Sequence, residues 1–223
     1  MAGAQFERPE SPRFDSLAFR RGAVDNPLFP LKPGTLYVFE IRDGDSVLAD
    51  TVRVLHETRR IAGVTATVVH DRVSRRGAIV EDTFDWYAQD TLGNVWYLGE
   101  DTKEFRNGKL VSTLGSWRAG VAGARAGIIM KAKPRVGDTY RQEFREGVAE
   151  DIGRVVALND SVIVRAGRFM NCVSTDDWSP LEPSVRERKT YCPGVGVVRE
   201  YVINGGSERS ELVAITTFPA RPR

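Results

Sequence analysis

Short segments in which hydrophobic and polar residues alternate follow one another along this chain. In the first half they lie at 35–42, 47–57, 64–73, 79–89, 95–105 and 110–117. Alternation with a period of two is typical of β-strands that bury one face. Gly, Asn and Asp separate the segments, and Asn107-Gly108 predicts a tight hairpin turn. The pattern therefore predicts an antiparallel meander.

The second half resumes this pattern after a glycine-rich break. Residues 115–137 are predicted to form a long loop at one end of the sheet. Further strands are predicted at 139–145, 149–158, 162–166, 169–175, 185–192, 197–203 and 209–218. Because no run of ten residues has helical periodicity, we predict an all-β fold, an antiparallel meander forming a β-barrel or a strongly curved sheet. In the predicted organisation, residues 1–26 are an extended, flexible or peripheral N-terminal arm, 27–218 a single β-barrel-like domain and 219–223 a tail.

Composition narrows the class of protein. The 223 residues carry a formal net charge of +2, with both signs mixed along the chain. A nucleic-acid partner is not expected, because no basic stripe is interleaved with aromatic residues. No apolar run is long enough to span a bilayer, and the N-terminus has no apolar signal-peptide core. We expect a soluble protein, exported or periplasmic if a leader was removed and otherwise cytoplasmic, and self-association into a homo-oligomer is left open.

Residues 81–104 depart most from the rest of the chain. They hold seven carboxylates against one lysine, together with five aromatic residues. Two strands of this composition, joined by a turn at 90–93, can place acids and aromatic rings on one wall of a cavity. Such a wall suits a small, largely apolar or aromatic molecule, or proton transfer on it.

Strand alternation sorts these acids by face. Asp85 shares a face with Thr83 and Tyr87, and the next strand can bring Glu100 to the same cavity, although alternation groups Glu100 with Trp96. A carboxyl beside aromatic rings would have a raised pKa and could act as a general acid or base. The alternative is that this face is simply the solvated side of the sheet.

The candidate catalytic residues are Asp85, Glu100, His70 and Tyr87, with Tyr87 as a proton donor. His70 ends an apolar row, so it is either a hydrogen-bonded core or edge residue or a base at the mouth of the cavity. His56 is the weaker candidate. No metal ligands are predicted, because the histidines and acids lack a tight ligand spacing. No cofactor is predicted either, since no complete cofactor motif is present.

The candidate ligand-binding residues are mostly aromatic. Stacking on a flat ligand is expected from Trp86, Trp96, Tyr97 and Trp117, although strand parity directs some of these rings into the core instead. Glu143 joins this set as a polar group, with a surface ion pair as its alternative role.

Cys172 and Cys192 are the only cysteines. They lie on strand-like segments either side of a proline-containing turn. A cross-strand disulfide forms if they face each other, and this would fit an oxidising compartment. Two small buried hydrophobic residues are the equal alternative.

Four segments carry a resemblance: "NPLFPLKPGT", "EDTFDWYAQDTLGNVWYLGEDTKEFRNGKLVSTLGSW", "AGIIMKAKPRVGDTYRQEFREGVAED" and "CPGVGVVRE". Over roughly residues 26–203 the chain resembles an uncharacterised bacterial family with an "EDTxDWYAQDxxGNVWYxGEDTKE" segment. The resemblance implies a β-rich and often exported protein, and it implies no activity.

Two functions compete on these observations. The first is a cofactor-independent acid–base enzyme of lyase, isomerase or hydrolase type, acting on a small apolar or aromatic molecule in an aromatic-lined cavity. The second is a non-catalytic carrier or scavenger of a hydrophobic ligand in the bacterial cell envelope. A structural domain that binds another protein is a third. Inward carboxylates beside a histidine would favour the enzyme, and a greasy cavity with the acids outside would favour the carrier.

Overall fold

A computed structural model describes residues 9–220, and nearly all of its regular structure is β-strand. Residues 1–8 of the predicted arm and 221–223 of the predicted tail lie outside the described residues. The strands of the first half are β1 Thr35–Asp43, β2 Ser46–Ile61, β3 Val64–Arg75, β4 Ala78–Gln89, β5 Val95–Arg106, β6 Lys109–Ser112, β7 Trp117–Arg118 and β8 Arg125–Met130.

The second half contributes seven more strands to the same sheet. These are β9 Thr139–Arg141, β10 Glu143–Phe144, β11 Ile152–Val164, β12 Gly167–Trp178, β13 Arg186–Cys192, β14 Gly196–Asn204 and β15 Arg209–Thr217. The helix in the described part of the chain is one 3₁₀ turn, Ser16–Ala18.

All pairings in this sheet are antiparallel, in the order β10-β8-β5-β4-β3-β2-β1-β15-β14-β13-β12-β11-β9, with β6 and β7 also paired to β5. The predicted all-β meander is confirmed. The sheet is strongly curved and open rather than a closed barrel, since its order begins at β10 and ends at β9.

The turn chemistry explains why neighbouring strands pair in sequence. Asn107 and Gly108 both have positive φ, 52° and 73°, and join β5 to β6 as a two-residue hairpin loop. Ala62-Gly63 and Arg76-Gly77 do the same for the β2–β3 and β3–β4 hairpins. Such turns match the twist of the strands they connect. The hairpin predicted at Asn107-Gly108 is therefore confirmed.

The two edges of the sheet meet at one chain segment, residues 139–144. Its first half pairs with β11 and its second half with β8, and Gln142 lies between the two. A Cβ atom built on Gly127 of β8 would lie 2.4 Å from the carbonyl of Gln142, so only glycine allows this approach. The Gln142 side chain donates to the buried Asp177. This seam draws the sheet around its concave face.

Two predictions on loops and termini need amendment. Residues 115–137 are not one long loop, because β7 and β8 lie within them and both pair with β5. The described part of the arm lies against the sheet: Phe14 and Phe19 pack on Trp96, with ring centroids 5.9 Å and 5.6 Å away. Apolar burial therefore holds this segment in place.

Cys172 and Cys192 form a disulfide between β12 and β13. The pairing of Val173 with Tyr191 places the two cysteines opposite each other, and both are fully buried. The disulfide alternative of the sequence analysis is therefore the one the structure contains.

Candidate functional site

The concave face of the sheet encloses a cavity of about 310 Å³. Residues from nine strands reach it, from β8 on one side to β13 on the other. This volume lies at the lower end of the range for small-molecule sites. Six of its lining residues are acids: Asp50, Asp71, Glu81, Asp85, Glu100 and Glu200.

Strand alternation brings the acids of β3 and β4 inward. Asp71 pairs with Thr83, and Val69 pairs with Asp85, so these four side chains share the concave face. Tyr87 continues the row on β4 and also lines the cavity. The sequence analysis left open whether the face of β4 that carries Asp85 is exposed to solvent. In the structure this face lines the cavity.

A β-bulge changes the alternation on β5. Asp85 pairs with Glu100 and Trp86 with Gly99, but Tyr87 pairs with Tyr97, so one extra residue is inserted in β5. Gly99 accommodates the bulge with a φ of 132°. The bulge puts both Glu100 and Tyr97 on the cavity side. The sequence-based grouping of Glu100 with Trp96 is wrong for this reason.

Asp85 and Glu100 lie directly opposite each other on neighbouring strands. Tyr97 donates its hydroxyl to Asp85 Oδ1 at 2.5 Å. Burial, followed by the charge of Asp71, raises the pKa of Asp85 to about 8. Burial, followed by the charge of Asp85, raises the pKa of Glu100 to about 8. Two carboxyls that face each other resist ionising together, so both are largely protonated at neutral pH.

Aromatic rings pack beside this carboxyl pair. Tyr87 stacks on Tyr97 with ring centroids 4.8 Å apart, and Trp117 meets Tyr97 edge-on at 5.4 Å. The indole of Trp117 donates to Glu143 Oε2 at 2.7 Å. Of these residues Tyr87 lines the cavity, whereas Tyr97, Trp117 and Glu143 are buried outside it, and Tyr97 is the one that contacts Asp85. Burial raises the pKa of Glu143 above its usual range.

Asp50 and Asp71 form a second carboxyl pair in the cavity. Burial raises the pKa of Asp50, and burial together with the charge of Asp50 raises the pKa of Asp71. Asp50 is only 8% exposed, and its Oδ1 atom has no hydrogen-bond partner among the described residues.

The opposite wall carries a lysine. Lys189 Nζ lies 3.3 Å from Glu200 Oε1 and 3.5 Å from Asp177 Oδ2. Burial opposes the charge on Lys189, but the carboxylates of Glu200 and Asp177 outweigh burial and raise its pKa. Lys189 therefore stays protonated at neutral pH.

His70 lies on the other face of the sheet. Its Nε2 is 2.7 Å from Asp82 Oδ1, and its ring stacks on Phe84 at 4.2 Å. Asp82 also accepts from Arg72 at 2.8 Å. Of the two alternatives predicted for His70, the structure contains the hydrogen-bonded residue and not the base at the cavity mouth, because Val69 and Asp71 are the neighbours that point inward.

Two of the predicted ligand-binding tryptophans also lie outside the cavity. Trp96 is buried against Phe14 and Phe19, and its indole donates to Asp90 at 2.9 Å. Trp86 packs in the same apolar cluster and lies 4.3 Å beneath the Arg59 guanidinium. Both rings face away from Asp85. Trp86 does so because successive residues of β4 alternate between the two faces of the sheet, and Trp96 does so because it lies on the face of β5 opposite to that of Tyr97.

Sequence reasoning singled out two of the six cavity acids, Asp85 and Glu100. Asp71 had a usable signal, since a mid-strand aspartate is as disfavoured there as at Asp85. Asp50, Lys189 and Glu200 had none, because strands far apart in sequence reach the cavity only through the curvature of the sheet. The aromatic rings that line the cavity are mostly others than those predicted: Phe29, Tyr37, Phe39, Tyr87 and Tyr191.

Within residues 9–220, no group of three or more His, Cys, Asp or Glu has the arrangement of a metal site. No helix in this range has the length and apolar character needed to cross a membrane.

Comparison with known proteins locates the fold. No family model matches the chain, and no curated protein matches its sequence. Among solved structures, a protein assigned as exported, with a YmcC-like fold, from Bacteroides fragilis is 15% identical, with a TM-score of 0.52 over 85% of this chain and 98% of its own. A protein assigned as a lipoprotein from Parabacteroides distasonis is 14% identical, with a TM-score of 0.49 over 86% and 99%. The first of these likenesses shows the architecture: the chain has a YmcC-like fold.

Proposed function

We propose that the cavity is the active site of a cofactor-independent enzyme that transfers protons on a small molecule. Asp85 and Glu100 are its acid–base pair. The observation that carries the proposal is their position directly opposite each other on the concave face of the sheet, with both pKa values raised to about 8.

The proposed proton transfer depends on the protons that Asp85 and Glu100 retain at neutral pH. When the pair loses its first proton, one carboxylate and one carboxylic acid face the same cavity. A carboxylate whose conjugate acid has a pKa near 8 is a stronger base than an ordinary carboxylate, and it can take a proton from a weakly acidic C–H or O–H group. The neighbouring acid can return a proton to another atom of the same molecule. Isomerases, lyases and hydrolases include enzymes that use this order of proton removal and proton return.

The surrounding residues have supporting roles. Tyr97 holds Asp85 in one orientation through its hydroxyl. Tyr87 offers its ring to the bound molecule and stacks on Tyr97. His70 takes no part in this proposal, because it lies on the opposite face.

Deuterium exchange tests the proposal without knowledge of the substrate. A panel of small apolar and aromatic ketones, esters and lactones is incubated with the protein in D₂O, and loss of C–H signals is followed by NMR. We expect exchange into at least one compound, slowed about 10²-fold or more in Asp85→Asn. Asp45→Asn, in the exposed turn between β1 and β2, is the matched control.

Two results would contradict acid–base catalysis at this pair. The first is exchange that Asp85→Asn leaves at the wild-type rate. The second is the absence of exchange across the panel when the same compounds are shown to bind by a change in tryptophan fluorescence.

A carrier is the second candidate, because half of the cavity wall is apolar. Phe39, Val52, Val69, Ile129 and Val197 all line it. A carrier would bind compounds from the panel reversibly and return them unchanged, with no solvent deuterium incorporated.

We also propose that the protein is exported. The buried Cys172–Cys192 disulfide is typical of oxidising compartments, and the B. fragilis protein of the same fold is assigned as exported. Fractionation of the native host, followed by non-reducing mass spectrometry, tests this. Recovery from the cytoplasm with both thiols free would contradict it.

A further inference from the structure

A row of carboxyl groups crosses four adjacent strands on the cavity wall. Asp50 on β2, Asp71 on β3, Asp85 on β4 and Glu100 on β5 all line the cavity, each close to the next. The ladder sets this spacing: Val52 pairs with Asp71, so Asp50 lies one diagonal step away. Asp85 is placed in the same way, because Val69 is its partner.

The protein does not balance this row with positive charge of its own. Lys189 is the one basic residue among the described residues that line the cavity. Its ammonium group is already within ion-pair distance of Glu200 and Asp177 on the far wall. The cation of the opposite wall is thus already paired, and the row on β2–β5 has no ion-pair partner among the described residues.

One oxygen atom of the row has no hydrogen-bond partner within the described residues. Asp50 is 92% buried, and its Oδ1 makes no hydrogen bond within the described residues. A buried polar atom without a partner costs free energy that a donor from a bound molecule would recover.

Aromatic rings form another part of the cavity wall. Phe29, Tyr37, Phe39, Tyr87 and Tyr191 line it. Faces of aromatic rings attract cations through their quadrupole, and they also pack against apolar groups. An acidic row beside such rings is complementary to a molecule with a cationic head and an apolar body.

We infer that the ligand of this cavity is a small primary or secondary amine in its protonated form, with an aromatic or branched aliphatic body. The ammonium group donates to Asp50 and to its neighbour Asp71, and the body packs on the rings. This inference rests on the proposed function, and it names the class of molecule that the acid–base pair would act on.

Calorimetry with three probes of matched shape tests the charge requirement. Benzylamine, benzyl alcohol and benzoate are titrated separately at pH 7 in two buffers of different ionisation enthalpy. We expect benzylamine to bind at least tenfold more tightly than benzyl alcohol, and benzoate not to bind. A cation entering among these carboxyls displaces protons from them, so the benzylamine heat should differ between the buffers.

Asp50→Asn locates the cation. We expect this variant to bind benzylamine about tenfold or more weakly, since a charged hydrogen bond is replaced by a neutral one. Affinity for benzyl alcohol should stay within about twofold of the wild type. Asp45→Asn is the exposed control, and circular dichroism verifies that both variants are folded. If Asp50→Asn does not fold, Asp71→Asn, at the second acid of the proposed ammonium site, replaces it.

Equal affinities for benzylamine and benzyl alcohol would overturn the inference. A benzylamine affinity that Asp50→Asn, or Asp71→Asn in its place, leaves unchanged would also overturn it. Binding of Ca²⁺ with no binding of benzylamine would assign the acids to a metal ion instead. Failure of the inference differs from failure of the proposed enzyme. Amine binding without any deuterium exchange removes only the catalysis, whereas exchange into neutral compounds without amine binding removes only the ligand class.

Discussion

Replacing Asp85 by Asn should alter the pH dependence of folding in a defined direction. Asp85 is 8% exposed, and its pKa is about 8 in the folded protein against an ordinary value of 3.8. Asn has nearly the same shape, and its amide oxygen can still accept from the Tyr97 hydroxyl. The substitution therefore removes the titration while it leaves the packing in place.

The sign follows from proton counts. Between pH 4 and pH 8 the unfolded chain has lost the Asp85 proton and the folded protein has kept it. Stability therefore falls as pH rises through this window, by about 1.4 kcal/mol per pH unit for one such group. From pH 5 to pH 7 the loss amounts to about 3 kcal/mol from Asp85. Glu100 acts in the same direction, because its pKa is also raised.

Urea denaturation at pH 5, 6, 7 and 8 measures this effect. We expect the free energy of unfolding of the wild type to fall across the series and that of Asp85→Asn to fall less steeply. The variant should thus gain about 3 kcal/mol on the wild type between pH 5 and pH 7. Asp45→Asn provides the reference for removal of an exposed charge, and its curve should follow that of the wild type.

A wild-type stability that rises between pH 5 and pH 7 would contradict this reasoning, because the cavity acids would then be ionised in the folded state. Parallel curves for the wild type and Asp85→Asn would show that Asp85 is charged at neutral pH. In that case the acid–base pair would lose its physical basis.

Three further predictions test other parts of the fold. Replacing Cys172 and Cys192 by Ala should lower the free energy of unfolding by about 3 kcal/mol, because the disulfide closes a loop of 20 residues; an unchanged urea midpoint would contradict this. Gly127→Ala should cost at least about 1–3 kcal/mol in the same assay, since its Cβ would lie 2.4 Å from the Gln142 carbonyl; wild-type stability would mean that the seam can open at no cost. His70→Gln should leave deuterium exchange within about twofold of the wild type, because His70 lies on the other face of the sheet; a tenfold loss would restore it as a candidate base.

The sequence was sufficient to predict the strands because their alternation and their Asn-Gly and Xaa-Gly turns are local. Asp85 was identified in the same way, from its position on a strand with regular alternation. Glu100 was assigned to the same cavity although strict alternation grouped it with Trp96. The residue inserted beside Gly99 reverses the faces of the preceding part of β5, so Glu100 and Trp96 lie on opposite faces. No local pattern marks such a bulge.

The remainder of the cavity depends on tertiary structure. Lys189 and Glu200 pair across β13 and β14, and they face Asp85 only because the sheet curves through many strands. Trp96 was predicted to stack on a ligand because residues 81–104 are rich in aromatic residues. Its core position depends on Phe14 and Phe19, which belong to a segment predicted to be peripheral.

The seam at residues 139–144 also bears on how strongly the edges of the sheet favour edge-to-edge aggregation. An open sheet normally presents two rows of unpaired backbone groups, to which another chain can add a strand. Here the terminal strands β9 and β10 have only three and two residues. The part of β11 beyond its pairing with β9 contains three register shifts against β12, which interrupt a regular edge. A sheet of this size is thereby left with little straight edge for amyloid-like growth.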